Sequence, residues 1–258
     1  MLLITSALSA ACLHAAESPN SERKSGETRT IDLPGGAKME MIWCAPGKFL
    51  MGSPESEEGR FSDETLHEVT LTKGFWLGKY EVTQAQWQSV MGLNPSRFKS
   101  PGRPVENVAW DDCQIFVNKV NATVGGAARF PTEAEWEYAC RAGSSAPFSG
   151  SGNITEMAWY DENSDSQSHE TGENKPNAWG FYDMHGNVLE WCSDWFSEHH
   201  NMKPVNPKGP PSGSFKILRG GCWFFYASDC RSAYRLKRDP CIRNSIYGFR
   251  LACSDTLK

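Results

Sequence analysis

One stretch in the second half of the chain decides the fold. It reads Pro176-Asn177-Ala178-Trp179-Gly180-Phe181-Tyr182-Asp183-Met184-His185-Gly186-Asn187-Val188-Leu189-Glu190-Trp191. It combines turn-forming Gly and Asn with large aromatic residues. The whole chain of 258 residues has the same character, with 23 Gly, 15 Pro and 10 Trp. This composition predicts many turns and aromatic packing, with little long regular structure.

The segment that precedes this stretch carries the clearest helix signal. Thr132 is a good N-cap residue, and Glu135 follows three positions later, which makes a capping box. Acidic residues in the first turn suit the helix dipole. We therefore expect a helix that begins after Thr132 and ends at Gly143.

Shorter elements are expected on both sides of this helix. Alternating apolar residues and intervening turn residues predict strands over 39–43, 48–53, 67–72, 75–82, 217–219 and 249–252. Capping and stop signals predict helices over 84–91 and 110–120. The acidic segment 55–64 is expected to be an exposed loop. The sequence contains no internal repeat and no boundary that would split the domain.

The N-terminal region differs from the rest. Residues 1–16 contain no Asp, Glu, Lys or Arg, and residues 2–11 are apolar with small residues toward the end. This pattern predicts a signal peptide over 1–16 and export to the periplasm or the extracellular space. A frayed terminus or a wrongly assigned start is the alternative. Residues 17–30 are polar, which predicts a flexible linker, and residues 31–258 form the predicted domain.

Charge and cysteine content exclude several classes of function. The net charge is −5, and without a Lys/Arg run the chain is not expected to bind nucleic acid. The apolar N-terminal segment is too short to span a bilayer. Nine cysteines are many for a cytosolic chain, and export would allow disulfides. The absence of a CxxC pair argues against a structural zinc site.

Several segments, in order, resemble the formylglycine-generating enzyme (sulfatase-modifying factor) family from about Met39 to Cys253. The resembling segments are 51–53, 79–83, 104–110, 130–137, 176–191, 219–221, 230–235 and 248–250. Any one of them could occur by chance, whereas the ordered set is highly specific. The resemblance implies an α+β fold, which is a single irregular, loop-rich domain related to the C-type lectin fold.

The resemblance also implies a chemistry. Enzymes of this family oxidise a sulfatase cysteine to formylglycine, with molecular oxygen and a copper(I) ion held by two thiolates, the ligands that this soft ion prefers. The second family cysteine corresponds to Cys230. The first corresponds to Phe225, which cannot bind copper. Leu189 stands where the enzymes have a tryptophan beside the oxygen pocket.

Cys222 offers a further possibility, because it stands where the family usually has a serine after two glycines. It could form a displaced thiolate pair with Cys230. On a regular strand, however, Cys222 and Phe225 should face opposite sides. The alternative for Cys230 is a buried thiol or a half-cystine.

A calcium site is the second expectation that the resemblance carries. The matching residues are Asp183 and Glu190, through their carboxylates, and Gly186 and Val188, through backbone carbonyls. Hard oxygen ligands in a tight loop suit calcium, and a turn with solvated acids is the alternative. A second family calcium site is degraded, because Trp159 replaces an asparagine ligand.

Three further positions have an expected structural role. Cys140 matches a half-cystine position of the family, but its usual partner position is Arg235 here. Arg231 and Arg235 are expected either to line the groove beside Cys230 or to form structural ion pairs.

Three functions are therefore weighed. The first is an exported sulfatase-modifying factor family protein, an oxidoreductase or a diverged relative, whose partner is a sulfatase or another peptide. The second is a non-catalytic module of the C-type lectin type that binds a peptide or a glycan. The third is a tailoring oxidoreductase with another substrate. The loss of one copper ligand at Phe225 favours divergence from the family's usual activity.

Overall fold

The computed structural model describes residues 23–198 and 204–256, so the predicted signal peptide over 1–16 lies outside the described residues. Within the described ranges the strands are β1 Thr28–Asp32, β2 Lys38–Cys44, β3 Gly47–Met51, β4 His67–Leu71, β5 Phe75–Gly78, β6 Ala128–Arg129, β7 Leu189–Trp195, β8 Lys216–Arg219, β9 Leu236–Arg238, β10 Tyr247–Gly248 and β11 Ala252–Ser254. The α-helices are α1 Gln84–Met91, α2 Trp110–Val124, α3 Glu133–Arg141 and α4 Ile154–Met157, and short 3-10 turns cover Pro34–Gly36 and Ala227–Cys230.

The strands form three sheets. The largest has the order β1-β2-β5-β11-β6, and all its pairs are antiparallel. The last strand of the chain, β11, therefore lies between two strands from the first half. A second sheet has the order β10-β7-β8-β9, in which β10 and β7 are parallel, and β3 pairs with β4.

The central strands of the largest sheet are covered on both faces. Met41 and Trp43 pack into one apolar cluster with Trp87 and Phe116, whereas Ile42 between them packs into another cluster with Trp136 and Phe181. Successive side chains of a strand point to opposite faces. The run of apolar residues in β2 therefore supplies both halves of the core.

Helix caps explain why the helices begin where they do. The Oγ1 of Thr83 accepts the amide of Gln86 at 3.3 Å, and the Gln86 side chain accepts the Thr83 amide at 3.0 Å. Thr132 and Glu135 make the same reciprocal pair at 3.1 and 2.8 Å. Helix α3 ends at Ala142, in a left-handed conformation. The predicted helix starts are confirmed.

Two predictions near the chain ends are wrong. The linker prediction fails for 28–30, because these residues belong to β1 and pair with 40–42 of β2. Residues 249–252 do not form one strand. The chain leaves β10 after Gly248 and enters β11 at Ala252, while the intervening Arg250 turns its buried side chain to Glu190.

The helices of the described residues are short. None of the helices within 23–198 and 204–256 is both long and apolar enough to cross a bilayer.

Candidate functional site

Two glycines after β8 bring the chain against Cys230. Gly220 and Gly221 both have positive φ, at 97° and 72°, a conformation that glycine adopts without strain. A Cβ on Gly221 would lie 2.4 Å from the Cys230 Sγ and 2.8 Å from its Cα. Only glycine allows this approach, which places the segment from Cys222 beside the short 3-10 turn that ends at Cys230.

The segment after the glycines is a turn and not a strand. The Phe225 amide donates to the Cys222 carbonyl at 3.0 Å, and the Phe225 carbonyl accepts from the Asp161 amide at 3.0 Å. Because this segment is not a regular strand, the alternation of side chains expected for a strand does not apply to positions 222 and 225. The half-buried Phe225 ring meets Tyr234 edge to face, with ring centroids 6.0 Å apart.

The two thiols at this place are both buried. Cys222 and Cys230 have no exposed surface, and both are free cysteines. Burial raises the pKa of Cys222 to about 12. Burial, and then the neighbouring Cys222, raise the pKa of Cys230 well above its ordinary value. Both are therefore neutral thiols at neutral pH, whereas copper(I) binding requires thiolates.

Three exposed aromatic side chains lie in chain segments that adjoin this buried pair. Phe61, Phe224 and Tyr226 are 50%, 61% and 68% exposed, and we call these three residues the aromatic rim. Phe61 packs edge to face on Tyr234, with ring centroids 5.6 Å apart, and the ring centroids of Phe224 and Trp223 are also 5.6 Å apart. Clustered exposed apolar side chains commonly mark a binding surface.

Arg231, the residue after Cys230, ties the acidic 55–64 segment to the site. Its guanidinium donates to Glu57 at 2.6 Å, to Glu64 at 2.7 Å and to the Gly59 carbonyl at 2.6 Å. Both carboxylate side chains are buried. The segment is an exposed loop over most of its length, as predicted, but this arginine buries the carboxylates of two of its acids. The same loop carries Phe61 of the aromatic rim.

Arg235 has a separate structural partner. It forms two hydrogen bonds with Glu133 of α3, at 2.6 and 3.0 Å. Of the two roles expected for Arg231 and Arg235, the structure supports the ion pair in both cases.

The residues predicted to bind calcium lie in one tight loop before β7 and, in the case of Glu190, at the start of β7 itself. Asp183 and Asn187 have positive φ of 59° and 62°. A Cβ on Gly186 would lie 2.3 Å from the Trp159 carbonyl, so the loop packs directly on the 158–160 backbone. The Asn187 amide donates to the same carbonyl at 2.8 Å, and its side chain accepts from the His169 amide at 2.9 Å.

The carboxylates of this loop have different surroundings. Both oxygens of Glu190 accept from Arg250, at 2.6 Å each, and one also accepts from the Trp136 indole at 2.7 Å. One oxygen of Asp183 accepts from the Gly172 amide at 2.7 Å. Its other oxygen is buried, with no hydrogen-bond partner among the described residues.

Glu81 is a residue of this site that sequence reasoning missed. It is 1% exposed, and neither of its carboxylate oxygens has a hydrogen-bond partner in the described part of the chain. It interacts with Asp183, Arg250 and Glu190. The sequence offered one sign of this role, because Glu81 stands between a tyrosine and a valine after β5. A glutamate that is buried in an apolar segment requires a partner.

The donor set can be tested against a calcium ion. No group of three or more His, Cys, Asp or Glu side chains among the described residues is arranged to hold a metal. The predicted set uses only two carboxylates, Asp183 and Glu190, with the backbone carbonyls of Gly186 and Val188. The unpartnered Asp183 oxygen is a hard donor of the kind that calcium takes, so Asp183 fits the ion. Glu190 would have to share its oxygens between the ion and Arg250.

Comparison with known proteins identifies the family to which the chain belongs. Residues 32–254 match the family profile of the sulfatase-modifying factor enzyme 1-like domain. The chain belongs to the sulfatase-modifying factor family. This confirms the resemblance, and the single mixed α and β domain confirms the predicted fold class.

Individual relatives differ in length and name. The chain is 34% identical over 241 residues to the chaperone protein LppX of Paenibacillus barcinonensis, a match that covers 73% of this chain and 81% of LppX. It is 32% identical over 217 residues to the formylglycine-generating enzyme of Bos taurus, covering 76% of this chain. The chain spans only 56% of that enzyme's length.

A solved structure supports the fold. Treponema denticola variable protein 1 superimposes with a TM-score of 0.80 and 33% sequence identity, covering 88% of this chain and 99% of the other. The sulfatase-modifying factor fold therefore extends over nearly all of the described residues.

Other family positions have changed partners here. The Cys140 thiol lies 3.6 Å from the Ser232 hydroxyl and 3.7 Å from the His185 ring, and it is a free cysteine. Leu189 is fully buried in the core. Near Trp159, where a second family calcium site was expected to be degraded, the Asn163 side chain bonds to the backbone of Ala158 and Tyr160. These side chains stabilise the fold locally.

Proposed function

We propose that this protein is a diverged member of the sulfatase-modifying factor family that binds a peptide at the aromatic rim and does not generate formylglycine. The observation that carries this proposal is Phe225, at the position of one of the two copper-binding cysteines. A phenyl ring offers copper(I) no ligand. The ring instead packs edge to face on Tyr234.

The remaining thiols do not compensate for this loss. Cys222 and Cys230 are buried and neutral at neutral pH, because burial raises the pKa of both. Binding copper(I) would require two deprotonations in an apolar surrounding, which is unfavourable. A displaced thiolate pair is therefore disfavoured, and binding without oxidation is the simpler function.

The surface above the thiols supports a binding function. Phe61, Phe224 and Tyr226 expose large aromatic area, and such side chains contribute strongly to contacts with extended partners. Arg231 fixes the loop that carries Phe61, so the rim is preorganised. The relative LppX is named a chaperone protein, a name that is consistent with binding a polypeptide.

Calcium is the cofactor that we propose for this fold. Asp183 and Glu190 would contribute carboxylates, and Gly186 and Val188 would contribute backbone carbonyls. The ion would supply positive charge that holds the 183–190 loop against β7 and α3. The site is structural in this proposal, because it lies in the loop that positions β7 rather than at the aromatic rim.

We also propose export, on the basis of the apolar segment 2–11 and the absence of charged residues over 1–16. Expression with a C-terminal tag, followed by N-terminal sequencing of the purified chain, tests this. Cleavage within the first 16 residues is expected. An intact N-terminus on a cytoplasmic protein would contradict it.

The central experiment uses a peptide with a CxPxR-type sulfatase motif. We expect the protein to bind a fluorescent version of this peptide and to leave its cysteine unoxidised with copper and oxygen present, as measured by mass spectrometry. A Phe224→Ser, Tyr226→Ser double variant should bind the peptide more weakly. A Phe225→Cys variant should bind copper(I) more tightly than the parent, because it restores the missing thiol.

The possible outcomes separate the functions. Formation of the aldehyde by the parent protein would overturn the proposal and return the chain to the sulfatase-modifying oxidases. Absence of binding to the peptide would overturn the binding part. Unchanged binding in the double variant would show that the peptide contacts a surface other than the aromatic rim.

A further inference from the structure

A large cavity opens between chain segments that take no part in the sites described above. Its volume is about 1150 Å³, and most of its walls come from residues 71–74, 129–135, 206–208 and 254–256. This volume slightly exceeds the range of about 300–1,000 Å³ that is common for small-molecule sites. The three residues of the aromatic rim do not line it, and neither do Cys222 and Cys230. The cavity is therefore a candidate site for a ligand other than the peptide.

Two lysines, Lys73 and Lys208, lie on the same side of this cavity. Lys73 follows β4, and Lys208 belongs to the loop that passes beside that strand. The Asn206 side chain accepts a hydrogen bond from the Thr72 amide at 2.9 Å and donates one to the Thr72 hydroxyl at 2.7 Å. The Asn206 amide also donates to the Thr70 carbonyl at 2.9 Å. These three bonds join the two segments that carry the lysines.

The cavity carries an excess of positive charge. Of its two acidic side chains, Glu135 accepts two hydrogen bonds from Arg129, at 2.6 and 2.7 Å, and Asp255 pairs with Arg23 at 2.7 Å. Neither of the two lysines forms an ion pair with another residue in the described part of the chain. Their charges are therefore available to a ligand, whereas those of the acids are already compensated.

Apolar side chains supply another part of the wall. Leu71 and Phe130 line the cavity and are otherwise buried in the core, and Pro46 and Pro207 add further apolar surface. The Phe130 ring stacks on Trp110, with ring centroids 4.8 Å apart, so its position is fixed. An apolar group that covers this wall is removed from water together with it, which favours binding.

We propose that this cavity binds a small organic anion with an apolar body, such as a medium-chain carboxylate. The anionic group contacts the amino groups of Lys73 and Lys208, and the apolar body covers Leu71 and Phe130. A hydrogen bond between an ammonium group and a carboxylate is stronger than one between neutral groups. Because the site shares no residue with the aromatic rim, it gives the protein a binding activity separate from peptide binding.

The test is calorimetric titration of the full chain at neutral pH, with ligand concentrations below those at which micelles form. Decanoate has both the negative charge and the apolar body, and it should bind. Decyltrimethylammonium has the same apolar body with a positive charge. It should bind at least ~10-fold more weakly, because it meets two like charges. Acetate has the charge without the body and should show no measurable binding.

A Lys73→Gln, Lys208→Gln double variant should bind decanoate ~10-fold more weakly than the parent, because both charged contacts are lost. The matched control is the Lys99→Gln, Lys119→Gln double variant, which removes the same charge from two exposed lysines that do not line the cavity. The control should bind decanoate as tightly as the parent does. All four lysines are exposed, and thermal unfolding establishes that both variants are folded.

The Phe224→Ser, Tyr226→Ser variant of the aromatic rim should bind decanoate with unchanged affinity. Loss of decanoate binding in this variant would place the anion at the rim and overturn the inference. A parent protein that does not bind decanoate would overturn it, and so would equal affinities for decanoate and decyltrimethylammonium. Equal losses of affinity in the two double lysine variants would show that only net charge matters, which would also overturn it.

Discussion

Arg231 is next to the one retained family cysteine, yet its contacts make it a structural residue. Its side chain is 2% exposed and bonds to Glu57, Glu64 and two backbone carbonyls. A buried arginine that satisfies two acids cannot be removed without leaving those acids unpaired. The consequence extends to the aromatic rim, because the loop held by this arginine carries Phe61.

We expect an Arg231→Ala variant to lose about 3–5 kcal/mol of unfolding free energy, because Glu57 and Glu64 would be left buried without a counter-charge. Urea denaturation of the parent and the variant measures the loss. Arg243→Ala is the control, because Arg243 pairs with Asp112 at 2.6 Å but is 55% exposed. The control should lose less than about 1 kcal/mol. Equal losses in the two variants would contradict the structural role of Arg231.

Some features of the site could be predicted from single residues of the sequence, and others could not. The replacement at Phe225 and the loop from Asp183 to Glu190 could be read directly, because each falls in a motif. Glu81 and Arg250 lie 169 positions apart, and only folding brings them together. No local pattern predicts which buried acid receives the arginine and which does not.

At the scale of elements, local interactions were predicted well. The starts of α1 and α3 follow from the capping pairs at Thr83 and Thr132, which involve only neighbours three residues away. Strands β2, β3 and β4 follow from alternation and from their bounding turns. In each case the contacts that determine the element join residues that are close in sequence, so the local sequence pattern is sufficient to predict it.

Elements defined by distant contacts were predicted poorly. Residues 28–30 look like linker in composition, yet β2 supplies them with a pairing partner. The segment from Cys222 to Phe225 carries no turn signal of its own, but close packing of Gly221 on Cys230 bends it into a turn. Composition and periodicity depend only on the residues of a segment. The conformation of these two segments is determined by their contacts with residues that are distant in sequence.

The exposure of the eight described cysteines allows the packing of the whole molecule to be tested by thiol labelling. Seven are buried, Cys241 is exposed, and all eight are free. Hydrogen bonding to Asp111, the largest cause, raises the pKa of Cys241, so labelling is best performed at mildly alkaline pH. We expect iodoacetamide to modify Cys241 rapidly in the folded protein and the seven buried thiols only after unfolding, as mapped by mass spectrometry of peptides.

The control for this experiment is Cys241→Ser, in which the seven buried sites should stay as slow as in the parent. Rapid labelling of Cys230 in the folded protein would contradict its enclosure and reopen the case for a metal-binding thiol. Disulfide-linked peptides between described cysteines would contradict the free thiols of the structure.

The position of β11 has a consequence for the order in which the molecule can be made. Ala252–Ser254 lies between β5 and β6, so the five-stranded sheet has a gap until β11 has left the ribosome. A nascent chain stopped before Ala252 holds β1, β2 and β5 as one fragment and β6 as a separate one. Closure of the sheet therefore has to wait for β11, which is synthesised after every other strand of the described part of the chain.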